Sequence, residues 1–185
     1  MKLFYIFFSL LITAGTVTAG SPVEDPQVED PSAAPLQRKD GTFGERFRLT
    51  GDINNDGYED LLLSDDIANL GQSGIRYFIY LKNEEGKFTL YDSIYTGIGS
   101  VAVEHFHEDS RLWLFVRLDS QSGIISYCDL GDDAITGCRS MRIHQGDGGT
   151  AIGGGVFRAV FGNSDVSFTL QKSETIDGKV TWKDF

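Results

Sequence analysis

Asp52, Asn54 and Asp56 stand at alternate positions, Gly57 comes next, and Tyr58-Glu59-Asp60 runs straight into Leu61-Leu62-Leu63. Oxygen-bearing side chains at that spacing are the donors a hard cation takes. Asp52, Asn54 and Asp56 offer oxygens to a common point and Gly57 permits the sharp turn. The Tyr58 backbone carbonyl adds a ligand, and Asp60 closes the shell. Carboxylates crowded into one turn also repel each other until a cation neutralises them. A metal-free, Asx-rich surface turn has much the same composition and stands as the competing reading.

The residues beyond the loop separate the calcium-loop types. An EF-hand needs a bidentate Glu at the twelfth position, and dockerin loops end in Asp there and come in two copies. This chain has Leu63 and a single copy. With Asp60 at the ninth position and a strand-like Leu run after it, the segment from Gly51 to Ser64 resembles the calcium loop of FG-GAP/VCBS-type repeats, which form blades of integrin-α-like β-propellers. The resemblance continues through Gly74 to Leu81, a turn at Lys82 to Lys87, and Phe88 to Tyr91, so that residues 43–91 make one recognisable repeat. It implies a calcium ion held by Asp52, Asn54, Asp56, Asp60 and the Tyr58 carbonyl, with Asn54 neutral where many copies carry Asp. It implies no larger activity.

Other residues with chemistry to offer form weaker patterns. Within Glu104-His105-Phe106-His107-Glu108-Asp109, a strand would point His105 and His107 to one face, where zinc or copper would need a third or fourth ligand. His144 supplies one only if the fold brings it there, and a solvated strand end accounts for the residues otherwise. Gly146-Asp147-Gly148-Gly149 and Gly153-Gly154-Gly155 lack the Lys and Ser/Thr ending of a phosphate loop and carry an acid where a phosphate needs donors, so they read as a loop between strands. No Gly-x-Ser-x-Gly and no His-Glu-x-x-His occurs, and the expectation is a protein that is not an enzyme.

The elements that must position these residues are strands. The chain of 185 residues divides into an expected signal peptide at 1–19, an acidic Pro-rich linker at 20–40, and a body at 41–185. Met1-Lys2, the apolar run Leu3 to Ala14 and the small-residue exit Val17-Thr18-Ala19 carry the first expectation. That run falls short of the ~20 residues that cross a bilayer, so a secreted or periplasmic product with no membrane insertion after cleavage is expected. The linker holds all four prolines, with Val-Glu-Asp-Pro twice, and should stand off as an extended, self-repelling arm.

Short β-branched and aromatic runs separated by Gly, Asn and Asp fill the body: Val101 to Phe106, Leu112 to Leu118, Ile124 to Leu130, Ser140 to His144, Val156 to Phe161, Val166 to Gln171 and Val180 to Trp182. This is all-β spacing with very little helix. Asp177-Gly178 fits a two-residue hairpin turn. A propeller takes about four to eight blades of about 40 to 45 residues, and this body supplies roughly three. Propeller-blade-like antiparallel sheets would therefore make a partial ring, completed by other subunits, or an open stack; a β-sandwich is the alternative. Cys128 and Cys138, ten apart across a polar segment, are expected to pair in an oxidising compartment, two unpaired buried thiols being the alternative.

Lys and Arg total 16 against 27 Asp and Glu, a net charge of -11 that cleavage of Lys2 makes more negative. Such a surface disfavours nucleic acid and anionic membranes and favours cations, basic proteins or neutral glycans. The leading expectation is an exported, calcium-binding, non-enzymatic adhesion or recognition module, with an unknown protein or glycan ligand. The alternatives are a secreted hydrolase or enzyme accessory acting on glycans or phosphoesters, and a structural subunit of a surface assembly, with homo-oligomers possible.

Overall fold

The computed structural model describes residues 27–71, 73–107, 109–119, 122–144 and 162–185. Residues 1–26, with the expected signal peptide, lie outside these, as does the glycine-rich segment with the run from Val156 to Phe161. The described chain is all-β, and its helix is confined to one 3₁₀ turn at Ile67–Asn69.

Leu61-Leu62-Leu63 is the centre of strand β2 (Asp60–Ser64), buried at every position. An apolar run buried on both faces belongs inside a sheet. Its neighbours are β1 (Phe47–Gly51), which buries Phe47 and Leu49 and leaves Arg48 and Thr50 half-exposed, and β3 (Ile75–Lys82), which buries Ile75, Tyr77 and Ile79. Alternation of that kind is the period-2 signature of a strand. A hairpin joins β3 to β4 (Phe88–Thr96), with a bulge between Ile79 and Tyr80.

The second sheet is an antiparallel meander of β5 (Val101–Phe106), β6 (Asp109–Arg117), β7 (Ser122–Leu130) and β8 (Ile135–His144). The chain then returns to the first sheet through β9 (Thr169–Ile176) and β10 (Lys179–Asp184). The larger sheet has the order β10-β9-β1-β2-β3-β4, so β9 adds to β1 across more than a hundred intervening residues, with Leu49 opposite Leu170. Asp177 and Gly178 both take positive φ in the two-residue β9–β10 turn, as expected of that pair.

Both sheets feed one apolar core. Leu62, Tyr77 and Ile79 from the larger cluster with Val103, Leu112 and Leu114 from the smaller. Burying each such aliphatic side chain stabilises by about 2 kcal/mol. Among the described residues neither sheet closes on itself, β10 and β4 bounding one and β5 and β8 the other.

The segment expected to stand off as a linker lies instead against the larger sheet from Val28 onward. Val28 exchanges two backbone hydrogen bonds with Phe88, at 2.9 and 2.8 Å. Ser32 is 1% exposed, and its hydroxyl takes a hydrogen bond from Arg48 Nη1. Arg38 grips Asp66 with Nε and Nη2, and Arg46 donates to the Ala34 carbonyl. Arg46 and Arg48 of the body, and Asp66 paired with the arm's own Arg38, fasten what the proline-rich composition alone makes an extended, solvated chain.

Cys128 and Cys138 are disulfide-bonded, with Cα atoms 4.0 Å apart. The bond crosses from β7 to β8 at a bulge in their ladder, so it clips two paired strands together and does not merely close a loop between them.

Candidate functional site

The loop from Asp52 to Glu59 joins β1 to β2 and is folded by its own side chains. Asp52 accepts from the backbone amides of Asp56 at 3.2 Å and Gly57 at 3.0 Å. Asn54 Oδ1 accepts from the Asp56 amide at 3.3 Å, and its Nδ2 donates to Asp56 Oδ2 at 2.9 Å. Asp56 Oδ1 in turn accepts from the Tyr58 amide. Asn55 and Gly57 have φ of 63° and 88°, left-handed values that asparagine and glycine tolerate. Side chains 52, 54 and 56 are thereby brought to one side of a tight turn, and each oxygen that holds an amide retains a further lone pair.

Ile53 points the other way and is fully buried, rooting the loop in the core. Asp60 is also fully buried and directs Oδ2 at the Ile53 amide within the loop at 2.8 Å and Oδ1 at the Lys82 amide of β3 at 2.9 Å. Burial pushes this carboxyl up to about 7, against the pull of the two amides and with help from the negative charges of Asp56 and Asp52. The structure thus brings together Asp52, Asn54 and Asp56, places the Tyr58 backbone just after them, and sets Asp60 behind as a brace. Among the described residues no group of three or more His, Cys, Asp or Glu side chains is arranged to hold a metal ion. The loop's middle donor is an amide, and its last carboxylate is turned inward.

All donors of the loop are oxygens, and two of the side chains are carboxylates, which fits a hard cation and not a soft one. Asp52, Asn54, Asp56 and the Tyr58 carbonyl are the groups that would hold it, with Asp60 fixing the loop's root.

The histidines do not assemble. His105 is half-buried and its Nδ1 lies 2.8 Å from Ser110 Oγ, whereas His107 sits exposed in the β5–β6 turn with a φ of 54°. His144 pairs with Ser122 at the far end of the sheet from Ser110, which pairs with Leu130, so it cannot complete a site with His105.

One arrangement escapes sequence reading. Asn54, Leu81, Tyr91, Ser110, Leu130 and Asp132 line a polar cleft of about 240 Å³ where the two sheets meet beside the loop. Tyr91 donates to the Gly131 carbonyl across the gap at 2.7 Å, and burial, with the charge of Asp92 next, pushes its hydroxyl up to about 12. Separate elements supply this lining, and no local spacing announces it.

Comparison with family models, with curated proteins and with solved structures finds no match.

Proposed function

We propose that this chain is an exported, non-enzymatic recognition module whose 52–60 loop takes calcium as a structural ion. The observation that carries the reading is the convergence of Asp52, Asn54 and Asp56 on one side of a turn anchored by Ile53 and by Asp60. The disulfide Cys128–Cys138 suits an oxidising compartment, and the excess of acids suits a calcium-rich one. The likeness to FG-GAP/VCBS repeats rests on this loop and the β2–β3–β4 strands after it. For the architecture as a whole we take the sandwich alternative, because both sheets pack on one core and not around a common axis of separate blades.

An ion bound only by the folded state stabilises it by about 2.7 kcal/mol at a hundredfold excess over its dissociation constant. The test is thermal unfolding of metal-stripped protein titrated with calcium and with magnesium, beside an Asp52→Ala/Asp56→Ala variant. A calcium-selective rise in Tm that the variant lacks is the expected result. Equal curves with and without calcium would leave only the Asx-turn reading.

A second reading, a secreted hydrolase, draws on one observation: Ser110 faces the cleft beside the loop with its hydroxyl on His105. Against it, Ser110 is 5% exposed, and among the described residues no carboxylate orients the imidazole's other nitrogen. Turnover on ester and glycan substrates that vanishes in folded Ser110→Ala protein would favour it.

A further inference from the structure

The cleft of about 240 Å³ where the two sheets meet is walled by two kinds of surface. Leu81 of β3, Tyr91 of β4 and Leu130 of β7 are half-buried, packed against the core on one side and lining the cleft on the other. Asp109, the first residue of β6, and Asp132, just past β7, line it as well and are exposed. Among the described residues neither carboxylate accepts a hydrogen bond or joins an ion pair, and no basic side chain lines the cleft.

What these walls offer a ligand is acceptors. The Tyr91 hydroxyl has one proton and gives it to the Gly131 carbonyl at 2.7 Å. Asn54 Nδ2 is turned to Asp56 at 2.9 Å. Ser110, 5% exposed, holds its hydroxyl 2.8 Å from His105 Nδ1 and keeps a lone pair in either tautomer. Negative charge reaches the interior too: burial first and Asp92 next push the Tyr91 hydroxyl up to about 12, and Asp132 and Asp133 add to the effect.

A ligand that suits this lining brings donors, positive charge and an apolar stem. A bare cation gains nothing from Leu81 and Leu130, and among the described residues no three His, Cys, Asp or Glu side chains converge to hold one. The volume falls below the roughly 300 to 1,000 Å³ that takes a drug-sized molecule, which limits the occupant to a group of side-chain size. Alkylammonium and alkylguanidinium groups carry donors only, on a hydrocarbon stem that lies along apolar surface while the charged head stays at the wet edge. The net charge of -11 draws such cations in. We propose that the cleft between the sheets binds an alkylammonium or alkylguanidinium group, the end of a lysine or arginine side chain or of a free polyamine. This rests on the recognition part of the proposed function, for which it names the ligand class, and needs no ion in the loop.

The test titrates the whole folded protein, in chelator and about 0.1 M salt, where exposed charges more than about 10 Å apart are screened. Chelator makes the outcome independent of calcium, so this proposal and the calcium reading fail separately. The probes are Nα-acetyl-lysine amide, Nα-acetyl-arginine amide and spermidine, beside Nα-acetyl-norleucine amide, which keeps the stem and lacks the charged head. The expected result is saturable binding of the cations alone, with NMR amide shifts concentrated at Leu81, Tyr91, Leu130, Gly131 and Asp132. Asp109→Asn/Asp132→Asn, at unchanged unfolding midpoint, should weaken it about tenfold or more, a loss of about 1.4 kcal/mol. Asp177→Asn is the control: it removes one charge in the β9–β10 turn, three strand spacings or about 14 Å from β3, and should leave binding intact. Tighter binding of the amino-acid amides supports a protein side chain as the source, and tighter binding of spermidine a polyamine. Absence of saturable binding, equal binding of the norleucine amide, shifts lying away from the cleft, full binding by the folded double variant, or equal loss in Asp177→Asn would each overturn the proposal. If the double variant does not fold, the lysine and norleucine comparison and the shift map of the parent protein decide.

Discussion

Asp60 Oδ1 accepts the backbone amide of Lys82 at 2.9 Å, so the last carboxylate of the acidic loop is bonded to the end of the neighbouring strand β3. Its other oxygen holds the Ile53 amide, inside the loop itself. One buried side chain therefore ties the loop's beginning to the end of β3 and roots a surface turn with a polar exterior in the sheet.

Replacing Asp60 by alanine leaves both amides without an acceptor in a dry environment, a loss of roughly 2 to 4 kcal/mol for two orphaned donors. We expect that loss in chelator as well as in calcium, measured by urea unfolding. The Asp52→Ala/Asp56→Ala variant, whose acceptors serve exposed amides, should cost about 1 kcal/mol or less in chelator and differ from the parent chiefly when calcium is added.

Asn54→Asp separates the ion from the turn by sign. In metal-stripped protein a third acid beside Asp52 and Asp56 adds repulsion and removes the Nδ2 hydrogen bond to Asp56, lowering Tm. With calcium the added charge tightens the site, and isothermal titration should show a Kd smaller than the parent's. A variant that is destabilised equally with and without calcium would exclude Asn54 from the ligand set.

The hydrogen bond from Arg38 holds the Asp66 carboxyl below its ordinary 3.8, with burial opposing and the Ala68 amide assisting. A carboxyl depressed in the folded state stabilises fully above its unfolded value and loses that contribution as pH falls through its folded one. The gap in stability between parent and Asp66→Asn should hence be constant from pH 7 to about 5 and close below about pH 4. At neutral pH the same substitution should free residues 36–44 for proteolysis at Lys39, because the pair is what fastens that segment near Gly44.

Reduction of Cys128–Cys138 should loosen one corner only. Cross-linking positions ten apart is worth about 3 kcal/mol on the chain-entropy estimate. Hydrogen exchange of the Cys128→Ser/Cys138→Ser variant should quicken along β7 and β8 while β1, β2 and β3, buried in the larger sheet, keep their protection.

Much of this is legible in the residues. Val101 to Phe106 forms the strand expected of it, residue for residue, and Asp177-Gly178 the expected turn, because alternation and left-handed turn residues act within a few positions. The run from Val166 to Gln171 departs from expectation: its strand begins at Thr169, and Val166 enters the core from a loop, since burial does not require a ladder. Strand β1 has no such run to announce it. Its alternation of Phe47 and Leu49 with Arg48 and Thr50 spans too few residues to stand out, and pairing with β2 and β9 holds Phe-Arg-Leu-Thr-Gly as a strand.

By itself the sequence determined the local grammar: an all-β chain, an acidic loop with calcium-type spacing, two cysteines within reach of one another, and an excess of acidic over basic residues. Only the tertiary structure decided that Asp60 is buried, that the proline-rich arm lies on the sheet from Val28 onward, that β9 joins β1, and that Trp113 and Tyr127 pack side by side on neighbouring strands. The reason is that period-2 alternation says a strand has a face to bury but not which edge will pair with it. Partners so far apart along the chain are chosen by the closing of one common core.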